Sequence, residues 1–361
     1  MQSENTLDTD LAPVKGRVSK PRSMKANLMI GLHAVTFLLG LSLLFYLFKW
    51  YWPTILESIA KVGYGFLFIV LLNLTRHFLR AASMYWAIHP ERRTFKYRSA
   101  VAARLGGEAV TFFTFTGPFL GDATKAVLLK RNVPLAQGAS AVIIDNLLYY
   151  ASVIIVVIAG IATLLYLYGS NSRAMTNVLT GIVVFSILMF AALVAIVRFG
   201  VKPISWVLKK LETHNKLPKF ILRREHHLME VETNVFDFYN TRRGDFFTIF
   251  GISMFVHVIS VCEVYLALKF LEGQSFVSTA FIIESLTKVI NAVFSFIPGT
   301  IGVYEGGNGL ILSRIGYTTA IGVSLAVVRR VAILFSTFIG VAILTVRALM
   351  SGAKHLAKPG E

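Results

Sequence analysis

Long apolar stretches alternate with shorter polar connections along most of the chain. A helix needs about 18–20 apolar residues to cross a bilayer, and stretches near or above that length cover residues 29–49, 63–88, 135–168, 177–198, 246–270, 277–297 and 321–349. The longest polar connection is 199–245, which leaves no room for a separate soluble domain. The pattern therefore predicts an all-α polytopic membrane protein.

Two segments rich in glycine and proline interrupt this apolar pattern. The first, 100–131, contains Gly117 and Gly121, and the second, 298–318, contains Pro298, Gly299 and Gly302. Proline lacks a backbone N–H and glycine lets the backbone bend, so both segments are predicted to be broken or re-entrant helices. The chain then has seven transmembrane helices, or eight if 298–318 makes a crossing of its own.

The two broken segments occupy corresponding places in the chain. Asp145 follows Asp122 at nearly the same separation as Arg329 follows Glu305. This spacing predicts an internal repeat in which 29–198 and 246–349 are the two halves, joined by an amphipathic linker at 199–245. Broken helices in matching positions of two halves are typical of a binding site at the repeat interface, so we expect the two segments to meet near the centre of the bundle.

Composition and charge support this reading. Hydrophobic residues make up 55% of the chain and charged residues 15%, with a mean hydropathy of +0.65. The net charge of +17 lies mostly in connections, namely the basic N-terminal arm 1–28, the loop 89–98 and the linker 199–245. This is the positive-inside pattern, which predicts that these three segments are cytoplasmic and that the protein is a multi-pass protein of the bacterial inner membrane. It predicts no nucleic-acid partner. The short tail 350–361 is basic as well.

Charged residues inside the apolar stretches are costly, at about 2.5–3.5 kcal/mol each on insertion scales. They are therefore expected to pair or to face a polar cavity. Arg104 with Glu108, and Glu284 with Lys288, are spaced i,i+4 and share a helix face. Arg76 and Arg80 have the same spacing but like charge, which predicts an anion or carboxylate opposite them, or a lipid phosphate.

Motifs of known enzyme classes are missing from the sequence. It contains no HExxH, no phosphate-binding Walker loop and no GxSxG, and it has a single cysteine, Cys262. We therefore predict no catalytic residue, no metal and no cofactor, and a transporter rather than an enzyme.

Two blocks resemble the flippase-like family typified by the lysylphosphatidylglycerol synthase transmembrane region. The first runs from Gly107-Glu108 through Gly121-Asp122 to Asp145; the second, and more specific, runs from Phe296 through Pro298-Gly299 to Glu305-Gly306, followed by Arg329-Arg330. The resemblance covers most of residues 30–348. It implies a membrane region that moves lipids between leaflets. The aminoacyl-transferase domain of some relatives has no counterpart here, so lysyl transfer is not implied.

The leading hypothesis is a lipid flippase that moves a lipid with a polar or anionic headgroup, such as a phospholipid, glycolipid, hopanoid or polyprenyl-linked lipid. The alternatives are a membrane-embedded transferase acting on a lipid-linked substrate and a non-catalytic membrane subunit of a lipid-biosynthesis complex. Membrane lipids are the expected partners, with lipid-biosynthesis enzymes as further candidates. The predicted substrate-binding residues are Arg76, Arg80, Glu108, Gly117, Gly121, Asp122, Asp145, Pro298, Gly299, Gly302, Glu305, Arg329 and Arg330.

Overall fold

A computed structural model describes residues 60–114, 117–169, 172–213 and 225–356, together with isolated positions between 45 and 57. The predicted arm 1–28, most of the predicted span 29–49 and the end of the tail lie outside these described residues. Within them the chain is helical and contains no strand, which confirms the all-α prediction.

The helices of the first half are α1 (Gly65–Ala87), α2 (Tyr97–Phe113), α3 (Gly117–Leu129), α4 (Leu135–Tyr168) and α5 (Arg173–Arg198). The described part of the linker forms α6 (Pro203–Thr213) and α7 (Glu225–Thr241). The second half contains α8 (Arg243–Glu272), α9 (Val277–Val293), α10 (Val303–Arg314) and α11 (Thr319–Leu356). Short 3-10 turns follow α1 at Pro90–Arg92 and precede α10 at Pro298–Thr300.

Five helices in the described residues are long and apolar enough to cross a membrane: α1, α4, α5, α8 and α11 up to Met350. They match the predicted stretches 63–88, 135–168, 177–198, 246–270 and 321–349. The predicted span 277–297 differs, because its helix ends at Val293 after 17 residues and the chain then turns at Pro298. Residues 277–314 therefore form two short helices instead of one crossing.

Helices α1 and α8 pack side by side in opposite directions at the centre of the bundle. The start of α1 meets the end of α8, where a Cβ on Gly65 would lie 2.6 Å from the Phe270 ring. The end of α1 meets the start of α8, where Arg242 donates hydrogen bonds to the carbonyl oxygens of Trp86 at 2.8 Å and Ala87 at 3.0 Å. These bonds cap the last turn of α1.

Two apolar clusters mark the two ends of the bundle. One, which we call the basic-face cluster, joins Ile88, Ala100, Leu129, Val133 and Ile249, and the loops next to it carry Arg92, Arg93, Arg131 and Arg242. The other, the opposite-face cluster, joins residues from the far ends of the helices: Val62, Ile161, Leu164, Leu271, Ile283, Leu312 and Ile315.

These clusters show how the two broken segments are placed. Ala100 of α2 and Leu129 of α3 both lie in the basic-face cluster, so the α2–α3 hairpin enters and leaves at that face. Ile283 of α9 and Leu312 of α10 both lie in the opposite-face cluster, so the α9–α10 hairpin enters and leaves at the other face. The first segment is re-entrant, as predicted. The second re-entrant hairpin covers 277–314 instead of the predicted 298–318, and the two hairpins come from opposite ends.

The same order of helices occurs twice. Helices α1 to α4 have 23, 17, 13 and 34 residues, and α8 to α11 have 30, 17, 12 and 38. The packing between halves also corresponds, because α2 contacts α11 and α9 contacts α4. Since the equivalent helices α1 and α8 run in opposite directions, the repeat is an inverted one.

Candidate functional site

A layer of charged side chains lies between the two apolar clusters. In this layer the described membrane-crossing and re-entrant helices carry thirteen acidic and basic side chains, and each takes part in an ion pair with another of them. These side chains are paired because an unpaired charge in a low-dielectric interior is energetically costly. The pairs form two networks and one separate bridge.

The first network is centred on an acid, Asp145 of α4. Its carboxylate accepts hydrogen bonds from Arg80 of α1 at 2.6 Å, from Arg104 of α2 at 3.3 Å and from Ser83 at 2.5 Å. Asp145 is 1% exposed, so two guanidinium groups neutralise and solvate a carboxylate that water does not reach.

The first network extends toward the α2–α3 hairpin. Glu108 pairs with Arg104 at 3.0 Å and with Lys125 of α3 at 2.8 Å. Asp122 pairs with the same lysine at 2.9 Å and accepts a hydrogen bond from Asn146 at 2.7 Å. The side chains of Glu108 and Asp122 remain 26% and 30% exposed, so this edge of the network is open.

Gly121 explains how α2 and α3 approach so closely. A Cβ at this position would lie 1.8 Å from the hydroxyl of Thr111 and 2.8 Å from the carbonyl oxygen of Gly107. Only glycine therefore allows this packing. The hairpin brings Glu108 of α2 and Asp122 of α3 to one lysine.

The second network is centred on a base, Arg329 of α11. It donates to Glu263 of α8 at 3.0 Å and to Glu284 of α9 at 2.8 Å. Each glutamate has a second cation: Arg76 of α1 donates to Glu263 at 2.7 Å, and Lys288 donates to Glu284 at 2.7 Å. The bond between Arg76 and Glu263 joins the two halves across the α1–α8 contact.

Glu305 and Arg330 hold the second break in its bent shape. Glu305 is fully buried, accepts a hydrogen bond from the Gly302 amide at 2.8 Å and pairs with Arg330. Arg330 also donates to the carbonyl oxygens of Gly299 at 2.7 Å and Thr300 at 3.4 Å. The backbone needs glycine here, because φ is 57° at Gly299 and 79° at Gly302.

Two cavities lie against the charged layer. The first, of about 230 Å³, lies between the hairpins and is lined by Phe112, Asn291, Gly299, Tyr304 and Arg330 among others. The second, of about 220 Å³, is lined by Arg76, Arg80, Arg104, Asp122, Lys125 and Tyr149 among others. Both are lined by His77, Glu108, Thr111 and Pro118, so these four residues form a neck between adjoining cavities. The two broken segments meet at the first cavity.

The predicted site residues fall into three groups. Those lining a cavity are Arg76, Arg80, Glu108, Asp122, Gly299 and Arg330. Asp145 and Glu305 line neither cavity and bind the cavity-lining Arg80 and Arg330. Arg329 also lines neither cavity, and it reaches the cavity-lining Arg76 only through Glu263. Those that shape the breaks and close helix contacts are Gly117, Gly121, Pro298 and Gly302.

Sequence reasoning did not single out His77, Thr111 or Tyr149. Tyr149 lies between the networks, with the Arg80 guanidinium 3.7 Å from its ring centroid and the Lys288 ammonium 6.0 Å away. Such contacts favour a cation over an aromatic face. Two of these residues could have been found from their places in the sequence. His77 lies next to Arg76, and Tyr149 lies one helical turn after Asp145.

One group outside the cavities has the geometry of metal ligands. His226, His227 and Glu230, at the start of α7, bring ligand atoms within 4.8 Å of one another. Both histidines are exposed, and none of the three lines either cavity.

Comparison with known proteins places the chain in a family. No curated protein and no solved structure matches it. A family model matches residues 30–340, a range that includes both hairpins and both networks. On this match, the chain belongs to the family described as the Lysylphosphatidylglycerol synthase TM region, and it is a multi-pass, lipid-related membrane protein.

Proposed function

We propose that this protein moves a lipid with a polar headgroup from one leaflet to the other, and that the headgroup passes through the two adjoining cavities. The observation that carries the proposal is their position. They lie at the charged layer between two apolar clusters, where hairpins from opposite faces come together. A polar headgroup needs such a path because hydrocarbon offers it no hydrogen bonds.

The pairing of the cavity acids supports transport over group transfer. Glu108 and Asp122, the carboxylates lining the second cavity, are each bound to cations. A general base needs a carboxylate that is available to accept a proton. The buried Ser152, whose hydroxyl lies 2.8 Å from Nε2 of His257, lines neither cavity and so is not placed to attack a headgroup there.

The charge distribution suggests the orientation. The basic-face loops carry the arginines, so we place that face in the cytoplasm. The α2–α3 hairpin then enters from the cytoplasm and the α9–α10 hairpin from the other side. We place the protein in the bacterial inner membrane.

The test is translocation of lipids by the pure protein in liposomes. Lipids labelled with a fluorophore on one acyl chain are placed in both leaflets, and dithionite added outside bleaches only those in the outer leaflet. We expect bleaching beyond one half in protein-containing vesicles. A stable plateau at one half, equal to protein-free vesicles, would show that the protein does not move the lipids offered.

A variant at the neck ties the activity to the cavities. His77→Trp places a larger ring between the two cavities and should lower the rate by about tenfold or more, since passage requires the neck to be open. Phe78→Trp is the matched control, because Phe78 is the next residue on α1 and is exposed on the surface of the bundle. Equal rates in the two variants would place the path elsewhere.

A further inference from the structure

The thirteen charges of this layer do not balance. Of the thirteen, seven are basic and six are acidic. The first network has three of each sign, and Arg330 is matched by Glu305. The single excess positive charge therefore lies in the second network, where three cations face two carboxylates: Arg76, Lys288 and Arg329 against Glu263 and Glu284.

Only one of these three cations lines either of the two cavities described above. Arg329 is buried and spends two nitrogens on Glu263 and Glu284, and the Lys288 ammonium bonds Glu284. Arg76 is 21% exposed, lines the second cavity and uses a single nitrogen, Nη1, in its bond to Glu263. The excess charge is thus accessible at Arg76, whose guanidinium retains donors for a ligand.

A second arginine lies one helical turn further along the same face. Arg80 also lines the second cavity, and its Nη2 bonds Asp145. Its Nε and Nη1 are buried and have no hydrogen-bond partner among the described residues. Buried donors without partners are unusual in native proteins, and a ligand that accepts hydrogen bonds would satisfy them.

We propose that the second cavity binds the phosphodiester of a lipid headgroup, with Arg76 as its principal ligand and Arg80 as the second. The proposal rests on the proposed function and specifies its substrate. A phosphodiester brings one negative charge, which equals the excess, and its oxygens suit the planar fork of a guanidinium. Glu108 and Asp122 on the same cavity would repel the further charge of a phosphomonoester.

The experiment compares three acyl-labelled lipids in the dithionite assay. They are phosphatidylglycerol, with a phosphodiester; a glucosyl diacylglycerol, with no phosphate; and phosphatidic acid, with a phosphomonoester. We expect phosphatidylglycerol to move about tenfold faster or more than either of the others, the difference expected for one charge-assisted contact. A glucosyl lipid moved as fast, or phosphatidic acid moved faster, would overturn the assignment while leaving lipid transport intact.

Variants at Arg76 test the residue itself. Arg76→Gln removes the excess charge and should abolish the preference for phosphatidylglycerol over the glucosyl lipid. Arg76→Lys keeps the positive charge and should retain part of the preference for phosphatidylglycerol. Arg98→Gln, an exposed arginine in the first turn of α2, is the control and should change nothing. An unchanged preference in Arg76→Gln would contradict the proposal.

Two further measurements use the wild-type protein and need no variant to fold. Soluble glycerophosphoglycerol carries the same phosphodiester without acyl chains, and competition by it at millimolar concentration would show that a free phosphodiester is also recognised. Mass spectrometry of co-purified lipids separates the binding site from the transport activity. If no lipid is moved in the liposomes, the proposed function is wrong. Enrichment of phosphodiester lipids over the host membrane would then still support the binding site, and a lack of enrichment would reject it.

Discussion

The two halves of this protein build the same charged arrangement with opposite signs. In the first half a buried acid on the long return helix, Asp145, is held by two arginines. In the second half a buried base on the equivalent helix, Arg329, is held by two glutamates. The partners come from equivalent helices: Arg80 and Glu263 from α1 and α8, and Arg104 and Glu284 from α2 and α9.

This comparison shows which property the repeat retains. The positions of the charged side chains correspond, while the sign at each position is free to reverse if its partners reverse too. A buried network is stable when its members neutralise one another, whichever of them carries the negative charge.

The halves also differ in access to the cavities. Glu108 and Asp122 of the first network are partly exposed there, whereas the side chains of Glu263 and Glu284 are 0% and 5% exposed. The first network therefore lines the second cavity directly. The second network reaches that cavity through Arg76, which belongs to the first half in sequence.

The largest expected effect comes from reversing one centre alone. Asp145→Arg places three cations together in the first network and should cost about 5 kcal/mol or more of unfolding free energy. Adding Arg80→Glu and Arg104→Glu gives the centre and its two partners the signs of Arg329, Glu263 and Glu284. It should recover only part of the loss, because Glu108 stays acidic where the second network has Lys288. The measurement is unfolding in detergent. A triple variant no more stable than Asp145→Arg would show that the two sites are not interchangeable in sign.

Neutralising each centre should affect the halves unequally. Asp145→Asn leaves Arg80 without an acid and should cost about 3–5 kcal/mol. Arg329→Gln leaves Glu263 with Arg76 and Glu284 with Lys288, so its cost should be nearer about 1–3 kcal/mol. The same unfolding assay in detergent gives the loss of unfolding free energy for both variants. The reverse order would mean that Arg76 and Lys288 do not support the second network.

Neutralising the acid at each of the two breaks should give a smaller difference in unfolding free energy. Glu305→Gln removes the charge partner of Arg330 in a fully buried site and should cost about 2–3 kcal/mol, with loss of lipid movement. Asp122→Asn acts at a partly exposed site and should cost about 1 kcal/mol or less. Unfolding and transport are measured on both variants. Equal losses would place the two breaks in similar environments.

The close contacts between halves predict a rescue in one place only. A Cβ on Gly160 of α4 would lie 2.2 Å from the Cβ of Ser285, and one on Gly340 of α11 would lie 2.2 Å from the Leu105 carbonyl oxygen. Gly160→Ala and Gly340→Ala should each cost about 1–3 kcal/mol through overpacking. Ser285→Gly removes the opposing side chain and should restore Gly160→Ala. No side-chain change removes a backbone oxygen, so Gly340→Ala has no equivalent rescue. If Ser285→Gly failed to restore Gly160→Ala, the contact between Gly160 and Ser285 would not be the source of the loss.

Cysteine labelling, which should leave stability unchanged, tests whether the hairpins enter from opposite faces. In a Cys262→Ala background, Asn132→Cys lies beyond the end of α3 and Ser313→Cys lies near the end of α10; both positions are exposed. A membrane-impermeant thiol reagent applied to intact cells should label Ser313→Cys and leave Asn132→Cys unmodified. Labelling of both, or of neither, would contradict the inverted placement.

The sequence was sufficient to predict the fold class, the two breaks and the pairs that share one helix face. Arg104 with Glu108 follows from the helical period alone, and it is present in the structure. The pair Arg76–Glu263 joins residues far apart in the chain, so nothing in local spacing indicates it. The prediction of a span at 277–297 was wrong because the composition of this segment suits a crossing. In the structure its helix ends at Val293 and the chain turns at Pro298.

Arg330 illustrates why the role of a residue was harder to predict than its location. Its charge and its place beside the break suggested a headgroup ligand. In the structure its three nitrogens are bound to Glu305, Gly299 and Thr300, and it holds the break as well as lining the first cavity. A sequence shows that a buried charge needs partners, and the tertiary structure shows whether the protein already supplies them.

The sign reversal between the halves has a consequence for how such a chain could have arisen. Arg76 of α1 bonds Glu263 of α8, and the residue of α1 that plays the role of Glu263, as partner of the central charge, is Arg80. A first half paired with an identical copy of itself would therefore bring Arg76 against an arginine. Any ancestral dimer of identical halves needed different residues at this seam. In the present chain each half supplies the opposite charge that the other half needs at this contact.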